Sequence, residues 1–205
     1  MKIREFESQV KDLPAFNLND IRKFAPDFYK EQLSYWQTKE FIKHFAGRYY
    51  YLADQPVDEG FLYMMANRIY EPSYISLESA LEKYQIIPES VLGVTSISSR
   101  KTKQFQSAWG ILRYQSIKPT LMFGYKVIEV RKNIKYKIAL IEKAILDYLY
   151  LNTEVATRED IESLRWNKDQ LLGQMDDQLF NSYLAIFNNK ALAQRAQRLL
   201  EYIHA

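Results

Sequence analysis

Cysteine is missing from the 205-residue sequence. That absence excludes a disulfide scaffold, thiolate metal sites and a cysteine nucleophile together. Histidine is nearly missing too: only His44 and His204 occur, too few for a histidine-rich metal centre. Six Gly and six Pro do not suit a fibrous or low-complexity chain. No apolar stretch approaches the roughly 18 residues that a membrane span requires. The opening Met1-Lys2-Ile3-Arg4-Glu5-Phe6 turns charged where a signal peptide needs its apolar run. The expectation is a soluble, cytoplasmic protein with no membrane partner, no cofactor and no metal.

What the chain does hold is enough apolar material for a core. Hydrophobic residues make up 47% and charged ones 26%, over a length that suits one large domain or two small ones. The formal net charge of +3 conceals an uneven distribution. Residues 96–143 carry eleven Lys/Arg against two Asp/Glu, whereas residues 53–95 carry two against seven. A surplus of that size sets up a positive field that attracts phosphate backbones or an acidic protein face. It equally fits a solvated sheet whose lysines block strand pairing at the edges. Composition leaves both open.

Spacing divides the chain. Ile3, Phe6, Val10 and Leu13 stand three and four apart, a helix with one apolar stripe, and Pro14 ends it. Asn17 offers the N-cap of a short second helix that turns Leu18, Ile21 and Phe24 inward. Pro26 opens a third, running to about Thr38, with Tyr29, Leu33 and Trp36 on one face. Two aromatic-rich runs, Phe41-Ile42-Lys43-His44-Phe45 and Arg48-Tyr49-Tyr50-Tyr51-Leu52, flank Ala46-Gly47 and read as a β-hairpin. Three helices and a hairpin follow the order of a winged helix-turn-helix, which leaves the outer face of its third helix free for a DNA major groove. Opposite Leu33 that helix holds Lys30, Glu31, Ser34, Tyr35 and Thr38. With Lys39, and with Lys43, His44 and Arg48 on the hairpin, they are the residues expected to meet phosphates and base edges of double-stranded DNA.

Asp54-Gln55-Pro56 reads as a short linker, and residues 57–70 as a helix that Pro72-Ser73-Tyr74-Ile75 breaks, a rigid connection. Ser76 caps a helix with Leu77, Ala80, Leu81 and Tyr84 on one stripe. Residues 94–98, 110–117, 121–130 and 136–139 are rich in β-branched and aromatic types and read as strands. Residues 140–151 form a strongly apolar helix packed on that sheet, and Thr157 caps another. Asn188-Asn189 separates two final helices, the last burying Leu192, Ala196, Leu199, Leu200 and Ile203. The expected fold class is α+β. An N-terminal winged helix-turn-helix over residues 1–52 precedes a mixed domain over residues 57–205, a small β-sheet packed with helices and a helical C-terminus.

One run is more specific than its pattern. Asn67-Arg68-Ile69-Tyr70-Glu71-Pro72-Ser73-Tyr74-Ile75-Ser76-Leu77-Glu78-Ser79-Ala80-Leu81 closely resembles the segment that follows the winged helix in the AbiEi family. The likeness continues through Ile87-Pro88, Thr95-Ser96-Ile97-Ser98-Ser99-Arg100-Lys101-Thr102 and Phe123-Gly124-Tyr125, and closes on Ile138-Ala139-Leu140-Ile141-Glu142-Lys143-Ala144-Ile145-Leu146-Asp147-Tyr148-Leu149-Tyr150. That family supplies the antitoxins of type IV toxin–antitoxin systems linked to abortive phage infection. The resemblance implies a bacterial or archaeal repressor of its own promoter region that also counteracts a toxin with a nucleotidyltransferase fold, directly or indirectly. Relatives tend to place a Gly between recognition helix and wing and a basic residue beside the wing-turn Gly. Gly47-Arg48 keeps the second feature, whereas Gln37-Thr38-Lys39-Glu40 fills the first position without a Gly.

Other constellations read as architecture. Glu78 is placed to pair with a sheet Arg or Lys, and Glu142, Lys143 and Asp147 to mark the solvent edge of their apolar helix or clamp one strand. No G-x-S-x-G elbow accompanies the serines, no P-loop is present, and neither His suits a general base, so an enzyme is not expected. Arg100, Lys101 and Lys103, extended by Arg113 and Lys118, form a second basic patch for DNA or for an acidic toxin surface. The alternative to the DNA-binding antitoxin is a protein-interaction module that inhibits a partner enzyme without specific DNA binding.

Overall fold

The computed structural model describes residues 1–88 and 92–204. Among these the chain is α+β, with ten α-helices, one short 3-10 turn and eight strands. Its first part comprises α1 (Ile3–Val10), α2 (Leu18–Arg22), α3 (Lys30–Thr38) and the antiparallel pair β1 (Ile42–Ala46) and β2 (Tyr49–Leu52). The expected stripe of α1 puts Phe6 and Val10 inside. Asn17 caps α2 in a reciprocal box: its side chain accepts from the Asp20 N–H while the Asp20 carboxylate accepts from the Asn17 N–H. Phe6 sits at the centre of a small aromatic core, its ring 5.1 Å from Phe16 and 4.5 Å from Trp36. Phe16 also exchanges backbone hydrogen bonds with Tyr50, both of 2.8 Å, which adds one bridge to the edge of β2.

The third helix departs from expectation at its start. It begins at Lys30, and Tyr29 stands outside it as the N-cap, 74% exposed. Phe28 takes the inner place expected of Tyr29, because a turn closed by the Phe28 N–H on Ala25 C=O brings that ring onto Trp36.

The larger part is built on a mixed six-stranded sheet of order β5-β6-β4-β3-β8-β7. Its strands are β3 (Ser73–Ile75), β4 (Val94–Ser98), β5 (Lys103–Ser107), β6 (Gly110–Ser116), β7 (Tyr125–Arg131) and β8 (Ile134–Ala139). β4 runs parallel to β6 and β3 parallel to β8, and the other pairs are antiparallel. Helices α4 (Glu59–Ile69), α5 (Leu77–Lys83) and α6 (Ile141–Leu151) pack on it, and α7 (Arg158–Ser163), α8 (Lys168–Gln174), α9 (Asp177–Phe187) and α10 (Lys190–Ile203) follow. Residues 73–75, expected as a connection, are a central strand buried throughout. β5 and α8 carry no clear signal in the sequence, and the strand expected from residue 121 starts at Tyr125, after a 3-10 turn over Pro119–Leu121. Thr157 caps α7 in a box with Asp160. Ser76 occupies the N-cap of α5, yet its hydroxyl makes no capping bond.

The hairpin joins the two parts. Ile42 lies in the small aromatic core with Tyr50 and Leu52 against it, while Phe45, Tyr49 and Tyr51 face the large one. Alternation along a strand sends successive side chains to opposite faces, so a hairpin apolar on both can cement two cores. Phe61 of α4 receives Phe45 and Tyr51 at ring distances of 5.7 and 5.6 Å. Polar ties add to the seam: Arg68 reaches Asp20 at 3.3 Å, and Asp12 meets Lys132 at 3.2 Å and Asn133 at 2.8 Å.

Candidate nucleic-acid interface

Helix α3 has two distinct faces. Leu33 and Trp36 are buried, whereas Lys30, Ser34, Tyr35, Thr38 and Lys39 are all exposed. Spacings of three and four residues place these exposed side chains on the outward side. The Lys39 ammonium lies 5.9 Å from the centre of the Tyr35 ring, and the Thr38 hydroxyl donates to the Ser34 carbonyl at 3.0 Å. Thr38 therefore offers an outside partner an acceptor, not its proton.

On the hairpin, Lys43, His44 and Arg48 are exposed as expected. His44 Nε2 is 3.1 Å from the Gly47 carbonyl, and Arg48 lies over Tyr49 at 5.7 Å. Gly47 takes a φ of +62°, which closes the turn without the strain a side chain would bring. A Cβ there would lie 3.7 Å from the Phe105 ring. The tip thus touches β5 on one side, while Gly47 and Arg48 stay exposed on the other.

That contact gathers the basic residues. Phe105 meets Tyr70 at a ring distance of 5.9 Å; Arg100 covers Tyr70 at 4.3 Å, and Lys103 covers Phe105 at 4.9 Å. The Tyr70 hydroxyl donates to the Lys101 carbonyl at 2.8 Å, and Arg100 donates to the Glu71 carbonyl at 3.2 Å. Arg100 and Lys103 so cover the Tyr70–Phe105 pair on which Gly47 of the hairpin tip lies, with Lys101 next to them in the chain. Lys118 follows β6 at the same end of the sheet, because Ser98 and Ser116 pair at the ends of parallel strands. Arg113 does not join them. It alternates with Tyr114, whose hydroxyl reaches the Ala66 carbonyl of α4, so Arg113 points to the other face, lining a small cavity with Glu78 and Thr95. No ion pair joins Glu78 to a sheet cation among the described residues, contrary to the pairing expected.

A second constellation lies where none was expected. Glu142, Lys143 and Asp147 are buried, not at a solvent edge. Lys143 pairs with Asp147 one turn on and bonds the Tyr74 hydroxyl at 2.9 Å. The Asp147 carboxylate also accepts from Tyr74 at 2.9 Å and from Ser76 at 2.8 Å, which explains the missing cap on α5. Both partners come from β3 and its end, so the expected clamp on one strand is made from inside the core. Burial pushes the Asp147 carboxyl up and the Lys143 ammonium down, each opposed by the attraction of the other. Glu142 accepts the Asp176 N–H at 2.9 Å and so fixes the start of α9. Ser, Lys and Tyr in one network are reactive types, but all four side chains are sealed from solvent, and a substrate has no approach. The signal that finds this network is Lys and Asp four apart on a helix that is otherwise apolar but for Glu142.

Among the described residues, no helix is long and apolar enough to cross a membrane, and no group of three or more His, Asp or Glu is placed to hold a metal ion. No protein-family model matches the chain, and no curated protein matches it.

Proposed function

We propose that the chain is a DNA-binding transcriptional autorepressor and antitoxin of the AbiEi kind, its N-terminal part a winged helix-turn-helix. The observation that carries the reading is the uncovered outer face of α3, with Lys30, Ser34, Tyr35 and Thr38 exposed over the buried Leu33 and Trp36. The basic triad around the Tyr70–Phe105 pair supports it, since phosphates beyond the groove would meet Arg100, Lys101 and Lys103. The antitoxin half rests on the sequence resemblance alone, and its partner is a nucleotidyltransferase-like toxin.

Gel shifts with the DNA upstream of the gene test the first half. Lys30→Ala and Tyr35→Ala weaken the complex without changing the melting temperature. Exchanging Arg100, Lys101 and Lys103 for Glu flattens the dependence of log affinity on log salt by about 0.9 for each phosphate no longer neutralised. An unchanged slope removes the triad from the interface. Co-purification with the product of the neighbouring gene tests the second half.

One observation favours the other reading, a protein-interaction module that inhibits a partner enzyme without specific DNA binding. The hairpin tip lies against Phe105 of β5 on one side and does not stand free. Under that reading the wild-type chain shifts no DNA, and the triad variant loses the partner protein instead.

A further inference from the structure

A cleft of about 690 Å³ opens on the seam between the N-terminal part and the sheet. Its origin is a defect in strand pairing. β3 has three residues and meets β8 only at Ile75 and Ile138, so the first half of β8 has no strand neighbour on that side. Asn67 of α4 fills part of the gap, its Oδ1 accepting the Lys137 N–H at 2.6 Å. Pro14 and the residues before it close the cleft from the N-terminal part. Its size falls in the range of small-molecule sites.

The lining has donors to spare. Because the Lys137 N–H fixes Oδ1, the Asn67 amide cannot turn round, and its Nδ2 is buried with no acceptor. The Lys137 ammonium has no carboxylate in reach among the described residues and lies 5.8 Å from the Tyr125 ring. Lys135 pairs with Glu129 at 3.0 Å in an exposed bridge, which is weak and readily exchanged. Of the two acids in the lining, Asp12 is held by Lys132, whereas Glu71 forms no ion pair among the described residues. Met64 and Tyr136 supply apolar lining on the α4 side, whereas Val127, paired with Lys137, lies on the other face of the sheet.

We propose that this cleft binds a nucleotide, a class of ligand that joins an anionic group to a flat apolar body with acceptors and amino groups on its edge. Lys135 and Lys137 receive the phosphate, Val127 on the same face of the sheet packs against the base, and Glu71 takes an exocyclic amino group. The proposal is independent of DNA binding.

Isothermal titration of the full chain with AMP, GMP, CMP and UMP tests it, with sodium phosphate alone and adenosine alone as separate arms. At least one nucleotide binds, and phosphate or nucleoside alone binds at least about tenfold more weakly. Lys137→Glu, an exposed change that leaves the melting temperature as it is, weakens nucleotide binding at least about tenfold. Glu71→Gln, at an exposed position of the lining, weakens nucleotide binding likewise. No binding of any of the four nucleotides up to about 1 mM overturns the proposal. So does phosphate binding as well as the nucleotide does, or nucleotide binding unchanged by Lys137→Glu.

Discussion

The two cores of this molecule handle polarity in opposite ways. In the N-terminal part, aromatic rings fill the centre and the ionisable side chains of α3 all stand outside. In the sheet part, Lys143 and Asp147 sit at the centre and are fully shielded, held by Tyr74 and Ser76. The small core has one layer of helices and a hairpin around it, so each helix buries one face and leaves the other wet. The large core covers α6 on nearly every side, which leaves its polar residues no water to turn to. They persist inside because each satisfies the others. A charge on an apolar helix therefore marks a solvent edge only where the helix has one.

The contrast can be broken most severely at the buried pair. Asp147→Ala leaves Lys143 as an unpaired buried cation and costs about 3–5 kcal/mol. Replacing both, as Lys143→Met with Asp147→Leu, restores only part of that loss: two apolar groups have no desolvation to offset, but the Tyr74 and Ser76 hydroxyls lose their partners. Urea denaturation of the wild type, the single and the double variant measures both effects. A double variant as unstable as the single one shifts the weight onto the bonds to Tyr74 and Ser76.

In the small core the corresponding test is Trp36. Its indole is 3% exposed and packs on Phe6 and Phe28, so Trp36→Ala costs about 3–5 kcal/mol. Tyr35→Ala and Tyr29→Ala, at exposed positions, change stability by no more than about 0.5 kcal/mol, the range of surface substitutions. Gel shifts reverse the order for Tyr35, which loses DNA while keeping its fold. Thermal melts beside the gel shifts separate the two faces of α3.

The same difference explains what could be read from the sequence. The stripe of α1 and the two sides of α3 from Lys30 to Thr38 are legible because one buried face imposes a period of 3.6, and the N-cap at Asn17 because of its residue type. Tyr29 misleads because its aromatic type and spacing are right, while the turn before α3 sets another phase through Phe28. Residues 73–75 are legible as a break but not as a strand, since three residues between a proline and a helix are too short to show alternation. β5, Lys-Gln-Phe-Gln-Ser, hides because an edge strand alternates polar residues on its exposed side with one ring. Of the expected interface, every residue on α3 and the hairpin is at the surface, and Arg100 and Lys103 cover the Tyr70–Phe105 pair on which the hairpin tip lies. Arg113 could not be assigned to its face without knowing the register of β6. The pocket at Asn67 is still less legible, because it follows from a strand that stops early.

An effect smaller than the loss of Trp36, and of opposite sign, concerns the end of α3, where the small core meets the hairpin. The Phe41 N–H bonds the Trp36 carbonyl at 3.0 Å and the Glu40 N–H bonds the Gln37 carbonyl at 3.0 Å, the paired bonds of a Schellman end. That end needs a left-handed residue, and Glu40 supplies it with a φ of +57°. A Cβ in this region clashes with its own carbonyl, whereas glycine has none. The glutamate therefore makes this turn at a cost in strain. Glu40→Gly relieves the strain but widens the freedom of the unfolded chain, leaving a net gain of about 0.5–1 kcal/mol. The gain should be confined to the small core: hydrogen exchange at Trp36 and Phe41 slows, while that at Ile145 and Leu146 in α6 stays as it is. Faster exchange at Trp36 would show that the glutamate holds the turn by a contact of its own.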